Sequence, residues 1–132
     1  MDHKTNVRRA GKFACAAAAV LLVAGLVMGA NSFNTPSTIL HVVTVQWKAD
    51  STPAQQQAAI DGLKKMSAEV PGIRNIWIKK LKVQPAAFST VFAMEFESKA
   101  AFDAYTNHPA HKAWEKVYLP VREESQTQDI TN

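Results

Sequence analysis

Seven consecutive residues, Tyr105-Thr106-Asn107-His108-Pro109-Ala110-His111, hold one phenol and two imidazoles. A phenol donates a hydrogen bond at neutral pH, and an imidazole with a pKa of about 6.5 accepts a proton. Side by side, a tyrosine hydroxyl and a histidine can act as hydrogen-bond donor and general base. Pro109 cannot continue a helix, and it keeps the residue before it extended. The segment is therefore predicted to be a helix end, a corner and a second short helix. Such a corner can turn Tyr105 and His111 toward one point. On spacing alone a second reading stays open, with a half-buried tyrosine and two surface histidines. His108, directly before the proline, is expected to hold the corner.

The same histidines raise the question of a metal. His108 and His111 are three residues apart, and His41 is a third imidazole at a distance. Zinc sites take three or four ligands with a secured second shell. No cysteine is available near them, and Asp103 and Glu115 have no evident orientation toward the imidazoles. No metal and no cofactor are expected.

The elements that must position these groups follow from periodicity. His41 to Lys48 alternates, with His41, Val43, Val45 and Trp47 on one face of a strand and Val42, Thr44 and Gln46 on the other. Thr52-Pro53-Ala54-Gln55 is a capping box with proline at the first helical position. Ile60, Leu63, Met66 and Val70 follow at helical spacing, and Pro71-Gly72 ends the helix. Ile73 to Leu81 reads as a second strand, with Ile76 and Ile78 on one face and Trp77 and Lys79 on the other. Phe88 to Glu97 is a third, with Phe92, Met94 and Phe96 opposite Val91, Ala93 and Glu95. Ser98 can cap a helix from Lys99 to about Asn107 that buries Phe102 and Tyr105. Pro109 opens the short helix carrying His111 and Trp114, which ends at Leu119-Pro120. Val121 to Ile130 is a weaker, more polar fourth strand.

The order β-α-β-β-α-β is the ferredoxin-like arrangement of the α+β class, with a four-stranded antiparallel sheet and helices on one side. The other face of that sheet carries Val42, Trp77, Val91 and Ala93. An uncovered, partly apolar sheet face predicts a partner sheet and hence a homodimer.

The N-terminus is different in kind. Lys4, Arg8, Arg9 and Lys12 precede an uncharged run from Phe13 to Ala30. A basic head followed by an apolar run reads as a signal peptide or an N-terminal membrane anchor over residues 1–32. An apolar helix is expected there, followed by a linker at 33–39 and a domain at 40–131. If uncleaved, residues 13–30 attach the chain to a membrane. Either way the domain is expected in the cell envelope, on the exported side. The formal charge of +4 belongs largely to this segment: from His41 onward there are 11 Lys and Arg against 10 Asp and Glu. No nucleic-acid partner is expected from so balanced a domain. Cys15 is the only cysteine and lies in the apolar run, so the domain has neither disulfides nor thiol chemistry.

Several residues carry a family resemblance. A strand beginning His41-Val42-Val43, a Val70-Pro71-Gly72 turn, and Phe96-Glu97-Ser98 leading into Tyr105-x-x-His108-Pro109-Ala110-His111 together resemble the stress-responsive dimeric α/β-barrel (Dabb) family. The resemblance covers residues 40 to 130 and implies a dimer whose two sheets form a barrel. One branch, similar to the plant olivetolic acid cyclase, closes a linear polyketide by intramolecular aldol condensation without metal or cofactor. The resemblance places its catalytic tyrosine on Tyr105, its catalytic histidine on His111 and a pocket histidine on His41. Where that branch has aromatic pocket residues on the first helix, this chain has Ala59, Ile60 and Leu63.

Combining the faces with the resemblance gives an expected pocket between sheet and helices. Tyr105 and His111 face it, His41 stands at its rim, and Val43, Ile60, Leu63, Ile76, Phe92, Met94 and Phe102 form its wall. Two classes of function fit. One is a cofactor-free lyase or cyclase of the aldol type acting on a small ketone-bearing substrate. The other is a stress-response module that holds a small apolar ligand without chemistry.

Overall fold

Strands and helices follow the sequence periods closely in the computed structural model, which describes residues 33–132. The expected signal or anchor segment at 1–32, with its apolar helix, lies outside the described residues. Among the described residues no helix is long and apolar enough to cross a membrane.

The elements are β1 (Ile39–Trp47), α1 (Pro53–Glu69), β2 (Ile73–Trp77), β3 (Thr90–Phe96), α2 (Lys99–Tyr105), α3 (Pro109–Tyr118) and β4 (Arg122–Ile130). They form one antiparallel sheet in the order β2-β3-β1-β4, the ferredoxin-like arrangement. The second strand is shorter than its alternation predicts. It stops at Trp77 rather than Leu81: it is an edge strand with β3 as its only partner, and its pairing ends at Ala93 although β3 runs on to Thr90. The lysine-rich stretch and Pro85 after it leave the ladder.

Local chemistry sets the helix ends. Thr52 Oγ1 accepts from the Gln55 amide at 3.2 Å, and Gln55 Oε1 accepts from the Thr52 amide at 2.8 Å. Gly72 turns the chain out of α1 with φ at +85°, a region that suits glycine. A β-carbon there would stand 2.4 Å from that of Ala101. Ser98 caps α2 through the Ala101 amide at 3.2 Å. The second helical span breaks where the proline requires it: His108 is extended, with φ −66° and ψ 136°, and Pro109 begins α3. His108 Nδ1 accepts from the Ala110 amide at 3.2 Å and so caps α3.

The core lies between the helices and one face of the sheet. Val45, Leu63, Met94 and Phe96 are fully buried there, with Met66, Phe92, Trp114 and Tyr118 around them. Trp114 Nε1 donates to the Ala59 carbonyl at 2.9 Å and ties α3 to α1. Gly62 allows this approach, since a β-carbon there would lie 3.1 Å from Trp114 Cδ1. On the other face Trp77, Ala93, Val42 and Gln128 stand in one row across the four strands. Trp77 in that row is 50% exposed.

Candidate active site

The corner at His108-Pro109 places two side chains against one cavity. Tyr105 ends α2 and His111 sits in the first turn of α3, and their ring centroids are 4.3 Å apart. Both are withdrawn from solvent, at 3% and 7% exposure. Phe96 packs beneath Tyr105 at 5.1 Å between centroids, and Trp114 flanks His111 at 5.8 Å. The cavity they face has a volume of about 180 Å³, small beside the roughly 300–1,000 Å³ of drug-sized sites. His41, Val43 and Phe92 form its sheet side, and Thr106, Trp114, Glu115, Tyr118 and Leu119 its helix side. Arg122, Ser125 and Thr127 of β4 close it.

His111 is held in one tautomer. Its Nδ1 lies 3.1 Å from the Thr106 carbonyl, which only accepts, so Nδ1 carries the proton and Nε2 is left as the basic nitrogen. Burial pushes its pKa below the ordinary imidazole value, and the Thr106 carbonyl and the Glu115 carboxylate work in the opposite direction. Glu115 Oε1 stands 3.8 Å from His111 Nδ1. The imidazole is thus neutral at pH 7, the form a base requires. Burial, reinforced by the charge of Glu115, raises the Tyr105 phenol well above its ordinary value, so it stays protonated and able to donate.

His41 reaches the same cavity from β1, with its ring centroid 5.9 Å from that of Tyr105. Its Nδ1 is 2.6 Å from Asp129 Oδ1. The two residues are direct cross-strand partners, which sets their side chains side by side on the inward face. A carboxylate accepts, so Nδ1 donates and the ring orientation is fixed. The alternation of β1 pointed His41 inward, but nothing short of the register could name Asp129. His108 turns to the Ala110 amide instead of joining His111. Among the described residues no three His, Cys, Asp or Glu side chains are grouped to hold a metal ion.

The geometry can be set beside known proteins. The model of the stress responsive A/B barrel domain matches residues 39–132. The chain belongs to that family. No curated protein matches it. Among solved structures it is similar to a dimeric ferredoxin-like protein of unknown function from Thermobifida fusca, at 21% identity and a TM-score of 0.64 over 77% of this chain and 97% of that one. It is also similar to a hydroxynitrile lyase from Passiflora edulis, at 16% identity and a TM-score of 0.65 over 72% and 93% of the two chains. A third likeness is to a cofactor-independent oxygenase from Streptomyces nogalater, at 14% identity and a TM-score of 0.60 over 73% and 93%. At such identities the likeness is one of fold.

In this A/B barrel protein the cavity lies farther toward β4 than the sequence pattern predicts. Tyr105, His111, His41, Val43 and Phe92 line it. Ile60, Leu63, Ile76, Met94 and Phe102 do not. Leu63 and Met94 are fully buried in the core, because Trp114 closes against Gly62 and fills the space beside α1. Ile76 is on β2, two strands away from β1. Ile60 is half-buried on α1, and Phe102 packs on the His41 and Phe96 rings at 5.6 and 5.3 Å. The opening lies instead above β4, whose inward positions are polar. Ser125, Thr127 and Asp129 pair with Val45, Val43 and His41, and a register shift after Gln46 brings Arg122 opposite Trp47. Short polar side chains there leave room that leucines would fill. The polar sequence of β4 was the available signal for Arg122, Ser125, Thr127 and Asp129.

Proposed function

We propose that this A/B barrel protein is a cofactor-free lyase or cyclase acting on a small ketone-bearing substrate. The observation that carries the reading is the Tyr105–His111 pair, 4.3 Å apart at one cavity, with His111 Nδ1 engaged by the Thr106 carbonyl. His111 Nε2 takes the proton next to the carbonyl. The Tyr105 hydroxyl donates to the enolate oxygen as charge develops there. The resulting carbon nucleophile attacks a second carbonyl, or in the reverse sense a carbon–carbon bond breaks to form it. The returning proton comes from His111. His41, held by Asp129, orients the substrate from the sheet side. A hydroxynitrile lyase and a cofactor-independent oxygenase share the fold, which supports catalysis on such a scaffold.

The test is deuterium exchange next to the carbonyl of levulinate, followed by NMR on the full chain. Exchange above the buffer rate is expected. His111→Ala should lower it by about 10²–10⁴, the span of a general base, and Tyr105→Phe by about 10²–10³, as for one lost oxyanion donor. If levulinate binds and its protons do not exchange, the chain is a ligand-binding module instead.

A second copy covers the sheet row of Trp77, Ala93 and Val42, giving a homodimer. Light scattering should return twice the chain mass, and Trp77→Glu should lower it, because the charge would enter a desolvated patch. Residues 1–32 direct export and leave the domain in the cell envelope, cleaved or anchored. Recovery of the intact chain in the soluble cytoplasmic fraction would refute this.

A further inference from the structure

The end of the cavity away from His111 is built from hydrogen-bond donors. Arg122 Nη1 donates to Ser125 Oγ at 3.0 Å, and the guanidinium carbon lies 5.6 Å from the centre of the Tyr118 ring. Arg122 Nε and the Tyr118 hydroxyl are buried and neither makes a well-formed hydrogen bond, although the hydroxyl stands close enough to Ser125 and Arg122 for both to favour its ionised form. Among the described residues no carboxylate forms an ion pair with Arg122. Ser125 accepts from Arg122, so its own O–H is free to donate. Buried donors without acceptors are costly, and Arg122 is a half-buried guanidinium without a carboxylate partner. An acceptor-only group satisfies all of them at once, and an ionised carboxylate is such a group, with two oxygens matched to the guanidinium plane. One cation fits a monoanion better than a phosphate dianion.

The remaining charge at the cavity does not oppose this. Glu115 is drawn to Lys112 Nζ at 3.1 Å and stands at the His111 end. The cavity therefore has two chemically different ends, with an apolar floor of Val43 and Phe92 between them.

We propose that the ligand of this cavity is a small oxo acid, with its carboxylate on Arg122, Ser125 and Tyr118 and its ketone at Tyr105 and His111. The proposal rests on the reading of this cavity as the ligand site and narrows the substrate to a class. The register shift after Gln46 is the backbone device behind it, since it brings Arg122 to the inward face beside Trp47.

Levulinate and its methyl ester differ only in the carboxylate, so titration calorimetry of both on the full chain tests the subsite. The acid should bind tighter than the ester by about 10- to 100-fold, the worth of hydrogen bonds to a charged group. Arg122→Gln should bring the acid down to the affinity of the ester. Tyr118→Phe keeps the aromatic stack and should weaken the acid alone. Equal binding of acid and ester, absence of binding by either, or a preference that survives Arg122→Gln would overturn the proposal. So would inorganic phosphate binding as tightly as levulinate. The preference is a ratio of affinities and does not need turnover. Exchange without the preference removes only the carboxylate subsite, and the preference without exchange removes only the catalytic reading.

Discussion

The two β-α-β halves of this domain solve the same packing problem differently. The first covers its part of the sheet with one unbroken helix, α1, of 17 residues. The second divides a similar span between α2 of 7 residues and α3 of 10, split at His108-Pro109. Beneath α1 the space is filled, with Leu63 and Met94 without solvent exposure. Beside α3 it is not, and the cavity, the buried imidazole and the unpartnered donors all lie there. A proline that would damage a packing helix is what turns Tyr105 and His111 toward each other. The closed half supplies stability, and the broken half can then tolerate buried polar groups that cost it.

The largest expected effect probes the closed half. Leu63→Ala should cost about 2–5 kcal/mol of unfolding free energy, since a packed neighbourhood cannot collapse into the gap. Thr127→Ala, at the cavity wall, should stay within about 0.5 kcal/mol. Urea unfolding of both variants measures the contrast. If the two costs are alike, the halves do not differ in packing as described.

A smaller effect separates the two helix starts. Thr52 caps α1 and His108 caps α3, and losing either cap should cost about 0.5–2 kcal/mol. The consequences for the site should differ. Thr52→Ala should lower stability and leave levulinate exchange unchanged. His108→Ala should lower both, because the cap it removes positions His111 one turn later. Melting curves and exchange rates on the same two proteins decide it. A His108→Ala variant with full exchange would show that Pro109 alone holds the corner.

How much of this was legible beforehand depends on the range of the interaction. The capping box, the helix stop at Gly72 and the corner at Pro109 are local chemistry, and each stands where its residues imply. The inward direction of His41 and Tyr105 followed from periods of 2 and 3.6. What alternation leaves out is which strand lies next to which. Asp129 meets His41 across 88 residues of chain, and only the strand order β2-β3-β1-β4 makes that pair. Ile60, Leu63, Ile76 and Met94 do face the helix-covered side or its edge, as periodicity implies. Ile60, Leu63 and Met94 miss the cavity because Trp114, held by the Ala59 carbonyl, occupies the space next to α1, and Ile76 because β2 lies two strands away from β1. The weak, polar look of β4 was itself the sign of the site: an inward face of Ser125, Thr127 and Asp129 cannot make a dry core.

The smallest expected effect is the pH dependence contributed by His111, a buried group of the broken half whose ordinary pKa lies near neutrality. Burial lowers its pKa in the folded chain below the value of about 6.5 that an unfolded chain retains. Between the two values the unfolded state binds a proton and the folded state does not. By linkage, the contribution to stability is present above about pH 6.5 and is lost as the pH falls through the folded value. Glu115 and the Thr106 carbonyl oppose the shift, while Lys112 and His41 add to it, so the loss should be smaller than that of either cap variant. Asp61 and Glu95, whose carboxyl groups lie below their usual values, act only at lower pH. Melting temperatures of the wild type should therefore decline from pH 7 toward pH 5, and those of His111→Gln should decline less. The acid limb of levulinate exchange should likewise fall below pH 6.5, since the same proton disables the base. A wild-type midpoint above pH 7 would mean that Glu115 dominates over burial, and His111 would then be a cation at neutral pH rather than the base of this site.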